Sequence, residues 1–172
     1  NANQHFHLDR HTDTLTSKLD SWIQQCDELE SMDIETYLSF LDKDSPDVEL
    51  FRWDNYGSIF LHVYKEQVSR CIFATHGDEP NHENVMTVMP WLIPDNVDFW
   101  MEKGRWICNV DLDYFFCDLE DGLTLMVSEQ YVVEIFTKIK RLLDQNKITV
   151  LTICFSPEWC GSWKNSEDAW EI

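Results

Sequence analysis

Apolar positions along this chain recur with two periods. Leu15, Leu19, Trp22, Ile23, Cys26 and Leu29 return at helical spacing and predict an amphipathic helix over about residues 15–30. Val132, Ile135, Phe136, Ile139, Leu142 and Leu143 trace a second apolar face, on a helix capped by Ser128 and closed near Gln145–Asn146. Asp33 is placed to cap a further helix from Ile34 to about Leu41. Short apolar runs at 5–9, 70–75 and 105–110 read as strands. The β-branched run 148–155 reads as a fully buried strand. Between these lie a polar loop at 42–47, a turn at 53–57, a helical or extended run at 58–64, and a loop around 89–94. The acidic, Trp-containing segment 162–172 reads as a partly ordered tail behind a domain spanning 3–161. Strands alternating with helices predict an α/β fold, a three-layer sandwich around a mostly parallel sheet. Ligands in such folds bind at the carboxyl ends of strands. Four predicted ends carry chemistry: Asp9 with His11, His76 with Asp78, Asp111 with Asp113, and Glu158.

Composition narrows the classes. With 172 residues the chain is long enough to bury one sizeable core. Its net charge of −19 argues against nucleic acid, which needs a basic surface. Much of the acid falls on helix faces and loops, where it mainly confers solubility, and the same field would also attract cations, either a metal or a cationic small-molecule substrate. No apolar run approaches the roughly 18 residues of a membrane span, and no signal peptide opens the chain. Asn1-Ala2 has the look of a cloning remnant and is set aside. The six cysteines form no C-x-x-C pair. Cys71, Cys108 and Cys154 fall in strand-like runs and read as buried free thiols, with Cys160 the exposed exception. A reducing, cytoplasmic setting is expected.

The candidate chemistry rests on side-chain alternation. Residues i and i+2 of a strand share a face, so Asp9 pairs with His11 and Asp111 with Asp113. On neighbouring strands, three carboxylates and one imidazole would converge, and a bound divalent cation would relieve their repulsion and desolvation. One histidine among several aspartates suits Mn, Zn or Fe. Asp13 is either a further ligand or the cap of the following helix.

These segments resemble a known superfamily. Leu8-Asp-Arg-His-Thr-Asp13 is similar to the Asp-Ala-His-x-Asp metal motif of the arginase, agmatinase and deacetylase superfamily, and Val110-Asp-Leu-Asp-Tyr-Phe115 to its Ser-x-Asp-x-Asp motif. The nearest likeness is to a branch with an Asp-Leu-Asp-Tyr-Phe segment, and it extends in patches to Trp53-Asp-Asn-Tyr, the strand ending in His76, and Ser156-Pro-Glu-Trp. The resemblance implies a compact or truncated arginase/deacetylase-like fold holding one or two ions. Asp9 and Asp111 would bridge two metals, His11 and Asp113 would complete one site, and Asp13 would serve the other. A further family histidine lies upstream of the first motif. His5 and His7 share that motif's own strand and do not simply replace it; His76, after a separate strand, is a candidate for the place, so the resemblance implies one complete site and leaves the second open. Arg10 departs from the family's small residue and is expected to crowd or neutralise the site.

The implied activity is metal-assisted hydrolysis of a C–N bond in an amide or guanidino group, with an acid protonating the leaving amine. His76 and Glu158 are the leading candidates for that acid, with His82 behind them. Each also has a plain structural reading: His76 as a turn residue, Glu158 as a helix-end residue, His82 as a surface histidine. The alternatives are a non-catalytic, metal-stabilised interaction domain and a metal-dependent phosphoesterase. The absence of a Gly-rich phosphate loop counts against the phosphoesterase.

Overall fold

A computed structural model of the chain describes residues 3–26, 29–77, 85–120 and 122–172. Asp78 and His82 lie outside the described residues. In chain order the elements are β1 (Asn3–Leu8), α1 (Leu19–Ile23), α2 (Ile34–Ser39), β2 (Leu41–Asp42), β3 (Ser45–Glu49), α3 (Tyr56–Val63), β4 (Val68–Ala74) and β5 (Met86–Val88). They continue with α4 (Ile93–Trp100), β6 (Trp106–Asp111), β7 (Phe116–Leu119), β8 (Gly122–Leu125), α5 (Glu129–Asp144), β9 (Ile148–Cys154), α6 (Pro157–Cys160) and α7 (Trp163–Glu171). The chain divides into two compact units, one formed by residues 1–11 and 68–172 and the other by 12–67. No helix among the described residues is long and apolar enough to cross a membrane.

The first unit is an α/β sandwich on a five-stranded parallel sheet ordered β5-β4-β1-β6-β9. Register brings the strand ends level. Leu8 pairs with Ala74 on one side and Val110 on the other, and Asp111 pairs with Cys154. Residues that leave these strands therefore emerge along one edge. Phe6 and Leu8 join Ile93, Val97 and Trp100 of α4 and Val132, Ile135, Ile139 and Leu142 of α5 in one buried cluster. Each such side chain contributes about 1.5–3 kcal/mol by leaving water. Helix α5 begins where Ser128 accepts the Tyr131 N–H, as its sequence predicts.

Three expectations change in this unit. Strand β9 is not fully buried: it is an edge strand, with Thr149, Val150, Thr152 and Cys154 exposed, Ile148 buried in the core and Leu151 and Ile153 partly buried against it. The loop around 89–94 is a 3₁₀ turn, Pro90–Leu92, leading into α4. The acidic tail forms α7, capped by Ser162, with Ser166 and Ala169 buried and Trp170 set edge-on to Phe136 at 5.9 Å.

The second unit has its own core of Trp22, Cys26, Leu50 and Ile59. The helix expected over 15–30 shortens to α1 and a 3₁₀ turn at Leu29–Ser31, and no side chain caps its start at Lys18. Asp33 does cap α2, accepting the Thr36 N–H at 2.8 Å. The polar segment 42–47 is part of the β2–β3 hairpin. It carries a buried Asp42 that accepts from Gln25 Nε2 at 3.1 Å and Trp22 Nε1 at 3.3 Å.

Candidate metal centre

β1 and β6 are adjacent at the centre of the sheet, and the connections run outward from them in opposite directions, to β4 and to β9. Such a reversal point opens a crevice at the carboxyl ends of the strands. Asp9 follows the last residue of β1, and Asp111 is the last residue of β6.

Both strand ends finish in the same turn. Asp9 Oδ1 accepts the N–H of His11 at 2.7 Å, and Asp111 Oδ1 accepts the N–H of Asp113 at 3.0 Å. Each is an aspartate bonding the backbone two residues on. The shared direction of these pairs thus comes from turns and not from strand alternation, since β1 ends at Leu8 and Asp113 lies on a 3₁₀ turn, Leu112–Phe115. That turn is anchored from below. Tyr114 and Phe115 are fully buried, the Tyr114 hydroxyl lies 3.2 Å from the Tyr131 hydroxyl, and Tyr131 donates to the Pro90 carbonyl at 2.7 Å.

Asp9, Asp111 and Asp113 each present a carboxylate oxygen, and the three oxygens lie within 4.8 Å of one another. Asp9 and Asp113 are buried. His11 brings Nε2 to 3.8 Å from Asp113 Oδ2. Burial, and then the charge of Asp111, pushes the Asp113 carboxyl up to about 7, while the Arg10 N–H, at 3.1 Å from its Oδ1, pulls the other way. A buried cluster of like charges with an imidazole at its rim is a donor set that fits a divalent cation of the Mn, Zn or Fe class.

The remaining predicted residues fall as follows. Asp13 belongs to the second unit, where it adopts φ 53° and its carbonyl accepts the Gly57 N–H at 3.0 Å. His76 lies just past β4; its ring Nε2–H donates to the Tyr114 carbonyl at 2.7 Å. Glu158 is exposed in the first turn of α6. The cysteine expectation inverts: Cys160 is fully buried and Cys154 exposed. The reason is that α6 folds Cys160 inward, whereas Cys154 sits on the edge strand.

Three further residues contribute, and sequence reading missed the part of the first. His7, set aside as part of the motif's own strand, places Nε2 at 3.5 Å from Asp9 Oδ2 and at 3.2 Å from the His11 carbonyl. Burial holds its pKa down at about 3, so the ring stays neutral, with its Nε2–H directed at the His11 carbonyl. The i, i+2 spacing of His7 and Asp9 was the available signal. Arg10, expected to crowd or neutralise the site, donates its backbone N–H to Asp113, lends that carboxyl a favourable positive charge and places its guanidinium 5.8 Å over the Trp159 ring. Trp159, which lies in the Ser156-Pro-Glu-Trp segment, also meets His11 edge-on at 5.1 Å.

Compared with protein-family models and with curated proteins, the chain matches none of either.

Proposed function

We propose that this protein is a metal-dependent hydrolase acting on a C–N bond in an amide or guanidino group of a small molecule. The carrying observation is the convergence of Asp9, Asp111 and Asp113 within 4.8 Å at the centre of a parallel sheet. Asp9, Asp111, Asp113 and His11 would hold the cation, with His7 beside Asp9. A bound divalent ion supplies Lewis acidity that brings water close to ionisation at neutral pH. The C–N assignment, and with it an arginase/deacetylase-like form of the fold, is supported by the likeness of Asp9-Arg10-His11-Thr12-Asp13 and Asp111-Leu112-Asp113 to that superfamily's motifs. The six free cysteines suit a cytoplasmic setting.

The chain's own residues set the approach to the site. Trp159 and the Arg10 guanidinium form an apolar and a cationic wall beside His11. His76 is the candidate acid, and with its Nε2 proton held by the Tyr114 carbonyl the proton for a leaving amine would come from Nδ1.

The tie on His76 and the exposure of Glu158 favour a second reading, a metal-stabilised interaction domain without turnover. Metal content measured by mass spectrometry after Mn or Zn loading tests the shared premise. Wild type should retain about one or two equivalents, and Asp9→Ala or Asp111→Ala should retain none while keeping the far-UV circular dichroism of the fold. Stoichiometric metal in both variants would sink the proposal. Turnover of amides, guanidines or acetylated amines by the loaded protein then separates enzyme from interaction domain.

A further inference from the structure

Asp111 is gripped from both sides. Its Oδ1 accepts the Asp113 N–H at 3.0 Å, and its Oδ2 accepts the Ser156 hydroxyl at 2.5 Å. Ser156 comes from a different strand end, 45 residues along the chain. It is held there by an unusual backbone. Ser156 has φ 38° and ψ 58°, the left-handed region that L residues avoid, and it directly precedes Pro157, which further restricts it. Strain of this kind persists where surrounding structure enforces it, and it concentrates at functional sites. The surrounding structure is visible. The Ser156 carbonyl accepts both the Trp159 and Cys160 N–H at 2.9 Å, starting α6. Cys154 Sγ lies 3.2 Å from Ser156 Oγ, and because the Ser156 proton goes to Asp111, the Cys154 thiol is the donor in that contact. A short relay therefore runs from Cys154 through Ser156 to Asp111.

We propose that Ser156 is a positioning residue for metal binding. Its hydroxyl fixes the rotation of the Asp111 carboxylate, so that the remaining lone pairs face Asp9 and Asp113. The same left-handed turn sets Trp159 beside His11. A carboxylate ligand held by an outer hydrogen bond binds its cation more tightly than one free to rotate, and loss of such a bond weakens affinity by about 10- to 100-fold. The proposal rests on the reading of Asp9, Asp111 and Asp113 as metal ligands.

Two substitutions separate this role from a merely structural one. Ser156→Gly removes the hydroxyl and relieves the backbone, because glycine adopts positive φ freely. Ser156→Ala removes the hydroxyl and leaves the backbone strained. Titration of the apoprotein with Mn²⁺ by calorimetry, alongside thermal melting of the apoprotein, should show both variants binding about 10- to 100-fold more weakly than wild type. The Ser156→Gly apoprotein should melt at or above the wild-type temperature. Ser156→Thr, which keeps the hydroxyl on a bulkier side chain, should melt lower yet bind Mn²⁺ within a few-fold of wild type. Undiminished Mn²⁺ affinity in Ser156→Gly and Ser156→Ala overturns the positioning role while leaving the metal site standing. A Ser156→Gly apoprotein that melts well below wild type shows a structural role instead. Wild type that binds no Mn²⁺ removes the metal reading, and the role of Ser156 with it.

Discussion

Asp113 combines burial with a neighbouring like charge. Its carboxyl is pushed up to about 7 by burial and by Asp111. Between the ordinary carboxylate range and about pH 7 the folded protein therefore holds a proton that the unfolded chain has lost. By linkage, this contribution to stability is present at the acidic end and falls as pH rises through 7. His5 and His7 work in the opposite sense. Burial lowers them to about 4 and about 3, so their contribution is complete above the ordinary histidine value and fades as pH drops below it. The Asp113 effect is isolated by comparison with Asp113→Asn: metal-free wild type should lose stability relative to that variant between about pH 4 and 7, with no further loss above, measured by urea denaturation. Parallel pH profiles would contradict the assignment. Mn²⁺ binding near pH 6.5 should also release a proton, seen as a dependence of the binding heat on the buffer's ionisation enthalpy.

At the scale of elements, the 3₁₀ turn that bears Asp113 depends on a helix far along the chain. Tyr131 of α5 receives the Tyr114 hydroxyl and passes its own proton to the Pro90 carbonyl, tying together that turn, α5 and the turn before α4. Tyr131→Phe strands two polar groups at once and should cost about 1–3 kcal/mol in denaturant unfolding. The same substitution should weaken Mn²⁺ binding, because the turn that presents Asp113 loosens. A change within about 0.3 kcal/mol would show that the three elements are held by apolar packing alone. Helix α5 itself was readable from its apolar spacing and from Ser128, since both signals are local. The edge position of β9 was not. An apolar β-branched run looks alike in the middle of a sheet and at its border, and only pairing partners distinguish the two.

For the whole molecule, a net charge of −19 sets the background. Cation binding to the buried aspartates relieves repulsion that exists only when the chain is folded, so it should stabilise the native state by mass action. At Mn²⁺ about 100 times its Kd the gain is roughly 2.7 kcal/mol, and chelation should reverse it. A melting temperature that rises with Mn²⁺ in wild type but not in Asp9→Ala checks this. An equal rise in both would indicate general screening of the acidic surface.

Local pattern alone determined much of this protein. Caps and apolar spacing placed α2 and α5, short apolar runs placed β1, β4, β6 and β9, and their alternation with helices implied a parallel α/β sheet. The carboxylates stood out because they end apolar runs, where charge is costly. Tertiary structure alone decided that β1 lies beside β6, which is what brings Asp9 within reach of Asp111 and Asp113. It also decided that aspartate turns aim these side chains, that Cys160 turns inward while Cys154 faces out, and that Ser156 reaches across to Asp111. The reason is physical: periodicity states which face of an element avoids water, whereas its neighbours are chosen by packing and hydrogen bonds between residues far apart in the chain.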